Sequence, residues 1–223
     1  MSRRFLLASA FIAATCMFAG LLVLDIPIVH WIQGSAVDNA PMFVHGLDAL
    51  DVIFGIHVSY WLASIVTICT GLILLLIARS ARQRQKLALA ILGAGIVQAA
   101  TIGMMMLGKG AFGRLRPLQW IESGELSSIW FVGGGSFPSG HSSFYFGLFL
   151  PLAAAAPRAW QRAGLLAVPL FAISARMVMS KHFLSDVAAS ALIAACMALL
   201  VCEAIRRLQL VDPVSRPLPG SES

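Results

Sequence analysis

Two histidines and a handful of cations stand out from a chain that is otherwise mostly apolar. Pro138-Ser139-Gly140-His141 opens directly into an apolar run, Phe144 to Ala156. Read physically, this is a helix N-terminus, with Pro138 in the first turn where its missing N–H costs nothing. The N–H groups of Ser139, Gly140 and His141 are then left without intrahelical partners. Gly140 puts no side chain between backbone and ligand. Free N–H groups at the positive end of a helix dipole form an anion site, and His141 adds a titratable donor at its rim. Downstream, His182 and Asp186 are four apart, which on one helix stacks the carboxylate under the imidazole. Arg176 lies six before His182, so a turn at Ser180-Lys181 must intervene if the two converge. Lys109 and Arg116 are seven apart and share a face if one helix carries both; Arg114 would then point elsewhere. Taken singly, each has a plainer account: a helix cap, a solvated basic loop, an arginine snorkelling to an interface. Together they describe an anion held by cations and backbone N–H groups beside two titratable imidazoles.

The elements that must position these residues belong to a membrane protein. The 223 residues are 59% hydrophobic and 12% charged, with a mean hydropathy of +0.85. Soluble domains are about 25% charged. A single all-α domain over 1–210 is predicted, a polytopic bundle with spans at about 5–24, 57–78, 87–107, 139–156, 163–179 and 183–205. A Pro/Ser-rich tail, 211–223, is expected to be disordered. A cleavable signal peptide is the rival reading of the first span, with Ala8-Ser9-Ala10 as a weak processing site, but its apolar core exceeds the usual h-region. Gly93, Gly95 and Gly103 in the third span let helices approach closely. The four cysteines all fall in apolar runs without metal-site spacing, and read as small packing residues.

Six spans put both termini on one side, and the positive-inside rule selects the cytoplasm. Arg3, Arg4, Arg79, Arg82, Arg84, Lys86, Arg158, Arg162, Arg206, Arg207 and Arg216 fall together there, eleven of sixteen basic residues. Lys109, Arg114, Arg116, Arg176 and Lys181 remain outside, against the bias. This distribution also argues against nucleic acid as the reason for the net charge of +6.

In order along the chain the pattern is Lys-x6-Arg-Pro, Pro-Ser-Gly-His and Arg-x5-His-x3-Asp, from Lys109 to Asp186. It resembles the type 2 phosphatidic acid phosphatase family of membrane lipid phosphatases, which shares its active site with vanadium haloperoxidases. The resemblance implies His182 as nucleophile, Asp186 as the carboxylate orienting it, and His141 as general acid. It implies Lys109, Arg116, Arg176, Ser139 and the Gly140 N–H as the phosphate cradle, with no metal and no cofactor. Three positions depart from the family pattern. Ala175 stands where a serine is usual, with Ser174 one residue further back; Leu184 replaces a proline and Ser190 a glycine.

The implied activity is hydrolysis of a lipid phosphate or isoprenyl diphosphate through a phosphohistidine, at the periplasmic or extracytoplasmic face of a cell (inner) membrane. Transfer of the phosphoryl group to a lipid acceptor is an alternative, as is a transporter of an anionic lipid. Transporter sites tend to lie near the bilayer midplane, whereas these residues gather at helix ends. The lipid and the oligomeric state stay open. Asp186 is expected to raise the pKa of His182, and the neighbouring cations to lower that of His141.

Overall fold

The computed structural model describes residues 1–78, 82–125 and 128–211. Residues 79–81 of the basic hinge and 212–223 of the expected tail lie outside the described residues. The fold is all-α. Its helices are α1 (Arg3–Ala19), α2 (Asp25–Gln33), α3 (Pro41–Ile53), α4 (Leu62–Ile77), α5 (Arg82–Phe112), α6 (Pro117–Glu122), α7 (Gly140–Ala155), α8 (Ala159–Val178) and α9 (Leu184–Val211). A π-helical turn, Gly20–Leu24, joins α1 to α2.

The structure corrects the predicted six spans. Among the described residues three helical segments are long and apolar enough to cross a membrane: Arg3–Gln33, Gln83–Glu122 and Leu184–Arg207. The chain is a multi-pass membrane protein by these three. The parity argument that put both termini in the cytoplasm falls with the count of six. The physical reason is clearest in α7. Sixteen residues at 1.5 Å each span about 24 Å, short of a hydrocarbon core of about 30 Å. Thirteen of those sixteen residues are buried in protein, so the helix is apolar because other helices surround it. Helix α4 is equally short, and α8 carries Gln161, Arg162 and Arg176 within its twenty residues.

Helix α7 is the axis of the bundle and packs on α5, α8 and α9. One side of it, through Phe144, Tyr145, Leu148 and Phe149, meets Leu47 of α3, Ala94, Ile102 and Met105 of α5, and Ala172 and Ala175 of α8. The other, through Phe146, Leu150 and Ala154, meets Leu6 of α1, Val97 of α5 and Ala194, Ala195 and Ala198 of α9. A buried polar bridge crosses three helices: Ser64 donates to Gln98 Oε1 (3.1 Å), and Gln98 Nε2 donates to the Phe144 carbonyl (3.3 Å). Of the three glycines in the predicted third span, Gly95 admits the α4 backbone, a Cβ there lying 2.9 Å from the Ile68 nitrogen. Gly93 faces side chains only, the nearest being Val201 at 3.3 Å, and Gly103 has nothing within 4 Å.

The two ends of the bundle differ in kind. At one, the Ser2 N–H donates to the Ala154 carbonyl (2.7 Å) and the Cys202 thiol meets the Met1 carbonyl (3.7 Å). Lys86 and Arg206 line a cavity of about 300 Å³ beside Met1. The opposite ends of α5, α7 and α9 carry Lys109, His141 and the approach to His182.

Candidate active site

Helix α8 ends at Val178, Ser180 adopts a positive φ of 49°, and α9 begins at Leu184. His182 therefore sits in the turn before α9, not on it, and the expected helical stacking over Asp186 is replaced by a cap. Asp186, in the first turn, reaches back to accept the Phe183 N–H at Oδ2 (2.8 Å), the return half of a capping box. The same oxygen accepts from the Ser136 hydroxyl (2.5 Å) and lies 3.6 Å from His182 Nδ1. Ser136 Oγ is itself 3.4 Å from Nδ1. Serine and carboxylate together hold the Nδ1 edge, which leaves Nε2 to face the substrate. The ring is 2% exposed. Burial pushes its pKa down to about 4, outweighing the raising effect of Asp186, with Arg176 and Lys109 adding to the fall. The expectation that Asp186 sets the direction is thus corrected: desolvation wins.

The sequence reading missed the most deeply placed cation. Helix α5 stops at Phe112, and Gly113 takes a φ of +48°. That turn sends Arg114 inward, where its guanidinium contacts Asp186 Oδ1 (2.5 Å), Asp25 Oδ2 (2.7 Å) and Ser185 Oγ (2.6 Å). It lies between the rings of Trp130 and Phe183, at 4.4 and 4.1 Å from their centroids. The loop wraps tightly here. A Cβ on Gly134 would meet the Arg114 carbonyl oxygen at 2.2 Å, so only glycine fits. Because α5 ends early, Lys109 and Arg116 do not share a helical face: Lys109 is in its last turn and Arg116 precedes α6. They are brought to the site by other means. Gly108 packs on the Pro138 ring, where a Cβ would lie 2.6 Å from Cδ. The Leu118 N–H donates to the Ser180 carbonyl (3.1 Å), tying the Arg116 segment to the turn before His182.

Pro138 precedes the α7 cap instead of occupying its first turn, and the Phe137–Pro138 bond is cis. Ser139 is the N-cap, its Oγ accepting the Ser142 N–H (3.4 Å). Its own N–H is not free: it donates to the Asp186 carbonyl (3.2 Å). Gly140 and His141, at the first two helical positions, are left to present their N–H groups. His141 Nε2 meets Asp51 Oδ2 (2.8 Å), and Nδ1 lies 3.4 Å from the Tyr60 hydroxyl. Asp51 is fixed from its other side by the Tyr145 hydroxyl (2.8 Å). Burial lowers the His141 pKa most; the Asp51 hydrogen bond opposes it, and Arg176 and Lys109 deepen it. The direction matches expectation, though the leading cause is burial.

Arg176 is half-buried in the last turn of α8, and its Nε is buried with no protein partner among the described residues. It lines a cavity of about 450 Å³ with His141, Asp51, Tyr60, Leu47 and Met179. The departures from the family pattern have local explanations. Ala175 is fully buried, and Ser174 does not replace the missing hydroxyl, since it is exposed and bonded to the Leu170 carbonyl (2.9 Å). Ser190 bridges the Ser139 carbonyl (2.9 Å) and the Asp186 carbonyl (3.1 Å), tying the α7 cap to α9. Nothing in the structure explains Leu184. Among the described residues no group of three or more His, Cys, Asp or Glu side chains converges as a metal-ligand set.

Asp25, Asp51, Tyr60, Arg114 and Ser136 thus join a site that the three motifs alone do not contain. Comparison with curated proteins and with solved structures gives no match. The family model of the PAP2 superfamily matches residues 85–209. That is more than half of the chain and takes in all three motifs, so the chain belongs to the PAP2 superfamily, the membrane-associated lipid phosphatases of the type 2 phosphatidic acid phosphatase kind.

Proposed function

We propose that the protein hydrolyses a lipid phosphate through a phosphohistidine on His182, at the extracytoplasmic face of the membrane. The observation that carries this reading is the pairing of each histidine with its own carboxylate: His182 with Asp186, and His141 with Asp51. Two such pairs in the field of Arg176 and Lys109 suit a nucleophile and a proton donor acting on one phosphoryl group. Nε2 of His182 attacks phosphorus while the bond to the leaving oxygen breaks. His141 Nδ1–H protonates that oxygen, its Nε2 remaining on Asp51. Water then attacks phosphorus, giving its proton back to His141, and the P–N bond breaks to release phosphate. Lys109, Arg116, Arg176, Ser139 and the Gly140 N–H hold the phosphoryl oxygens, with guanidinium suited to paired contacts. The leaving lipid occupies the cavity beside His141, where Leu47 and Met179 offer apolar surface. No residue of this scheme calls for a metal.

Purified protein given a panel of lipid phosphates and diphosphates, with chelator present, is expected to release inorganic phosphate. Phosphoryl transfer to an added lipid acceptor in place of water would make it a phosphotransferase. Movement of anionic lipid between leaflets without phosphate release would make it a transporter and overturn the reading.

The two ends of the bundle support this sidedness without any count of spans. Arg3, Lys86 and Arg206 gather at the end opposite the site, and the positive-inside rule assigns that end to the cytoplasm. In a cysteine-free variant, cysteine at Ser123 is expected to react with an impermeant reagent outside intact cells, and cysteine at Gln83 is not. The reverse labelling would place the site in the cytoplasm.

A further inference from the structure

Asp186 belongs to a buried charge cluster whose other members the phosphatase scheme does not use. The others are Arg114 and Asp25, their side chains only 1% and 6% exposed. Asp25 comes from the junction of the π-helical turn with α2, outside the matched region of the family model. π-Helical turns inside α-helices are frequent at functional sites. Here the turn brings the carboxylate against the start of α9, where it accepts the Ser185 N–H at Oδ1 (2.9 Å) and the Ser185 hydroxyl at Oδ2 (2.5 Å). Gly20 allows that approach, since a Cβ there would lie 2.8 Å from the Ser185 nitrogen.

We propose that Asp25 and Arg114 are positioning residues for the nucleophile, an ion pair that divides the guanidinium charge between two carboxylates and so sets how much negative charge Asp186 offers His182. The proposal rests on His182 being the nucleophile. Two carboxylates and one guanidinium leave the cluster one positive charge short. A phosphohistidine supplies that charge, because the imidazole becomes cationic as its Nε2 bonds to phosphorus. The cluster is therefore balanced on the reaction path and not at rest, the arrangement that favours a transition state over a ground state. Asp25 competes with Asp186 for Arg114 and so keeps Asp186 from being fully neutralised. The other charged groups acting on His182 are Arg176 from α8 and Lys109 from α5, and neither is bonded to this cluster.

The two members should act on His182 with opposite sign. Asp25→Asn concentrates Arg114 on Asp186, weakens the negative field at His182 and lowers its pKa. Arg114→Gln frees Asp186 and raises it. In the full-length protein, the acid limb of kcat/KM for a soluble aryl phosphate is expected to move to lower pH in the first variant and to higher pH in the second. Arg114→Lys, which keeps the charge but cannot fork between both carboxylates, is expected to keep the limb in place and lose about ten- to a hundredfold in kcat, the scale of a misplaced catalytic group. If Arg114→Gln does not fold, Asp25→Asn and Arg114→Lys decide the matter. An unmoved limb in folded Asp25→Asn or Arg114→Gln, limbs of those two moving in the same direction, or an unchanged kcat in Arg114→Lys would overturn the proposal and leave a merely structural ion pair. Absence of a phosphoenzyme in the unaltered protein is a separate result, and overturns the nucleophile assignment together with all that rests on it.

Discussion

His182→Gln is expected to leave a folded protein without turnover and without a phosphoenzyme. Nδ1 of this ring is held by Ser136 and Asp186, so Nε2 is the nitrogen available to phosphorus. Its pKa of about 4 means that the ring is neutral at pH 7 and has no proton to lose before attack. Burial, which costs a cation solvation, costs the neutral nucleophile little. The cation appears only in the intermediate, where Asp186 stands ready to meet it. Glutamine offers an amide in place of the lone pair, and removing a nucleophile of this kind costs at least about 10⁴ in kcat. The check is a radiolabelled phosphoryl group, stable to base and lost in acid, trapped on the wild type and absent from the variant. Retention of near-normal turnover by His182→Gln, or of the label, would assign the nucleophile elsewhere.

The local features of this site were legible in the sequence, and the long-range ones were not. A helix N-terminus at Pro138-Ser139-Gly140-His141 and the turn between Arg176 and His182 follow from residue types within a few positions of each other; the structure has both, with Ser139 as the cap and Pro138 before it instead of in the first turn. Helix α7 was legible as an apolar helix, but its hydropathy does not say whether lipid or protein surrounds it. Length was the usable signal, since Gly140 to Ala155 falls short of a bilayer. Arg114 points away from the site only on the condition that one helix carries both Lys109 and Arg116, and α5 ends at Phe112. Gly110 and Gly113 weaken such a helix, and Gly113 is where the chain turns. Asp25 falls just past the predicted first span of about 5–24. Its inward role depends on Arg114 and Ser185, 89 and 160 residues away, and no local pattern announces such a pairing. Asp51 and Tyr60 likewise meet His141 across 90 and 81 residues. Aspartates in a stretch without a single lysine or arginine were the signal available, since a buried carboxylate there has to find its partner elsewhere.

The second large effect belongs to His141 and is read in pH. A general acid contributes about 10² to 10⁴ in rate, so His141→Ala is expected to lose that much on a lipid ester. On an aryl phosphate, whose leaving oxygen needs little protonation, the loss is expected to be small. The acid must be protonated and the nucleophile neutral, so kcat/KM rises with pH through the pKa of His182 and falls through that of His141. The first is about 4; the second lies below the ordinary histidine value of about 6.5, chiefly through burial. The profile is therefore a bell on the acid side of neutrality, its limbs belonging to the coupled pair. Asp51 raises the His141 pKa through its hydrogen bond. Asp51→Asn removes that support, so the basic limb moves to lower pH and the rate at pH 7 falls with the protonated fraction. A bound phosphate dianion neutralises Arg176 and Lys109, two of the groups holding the His141 pKa down. The basic limb of kcat is accordingly expected at higher pH than that of kcat/KM, in the wild type and in Asp51→Asn alike. A basic limb that stays put in Asp51→Asn, or a His141→Ala loss equal on lipid and aryl esters, would show that His141 is not the acid.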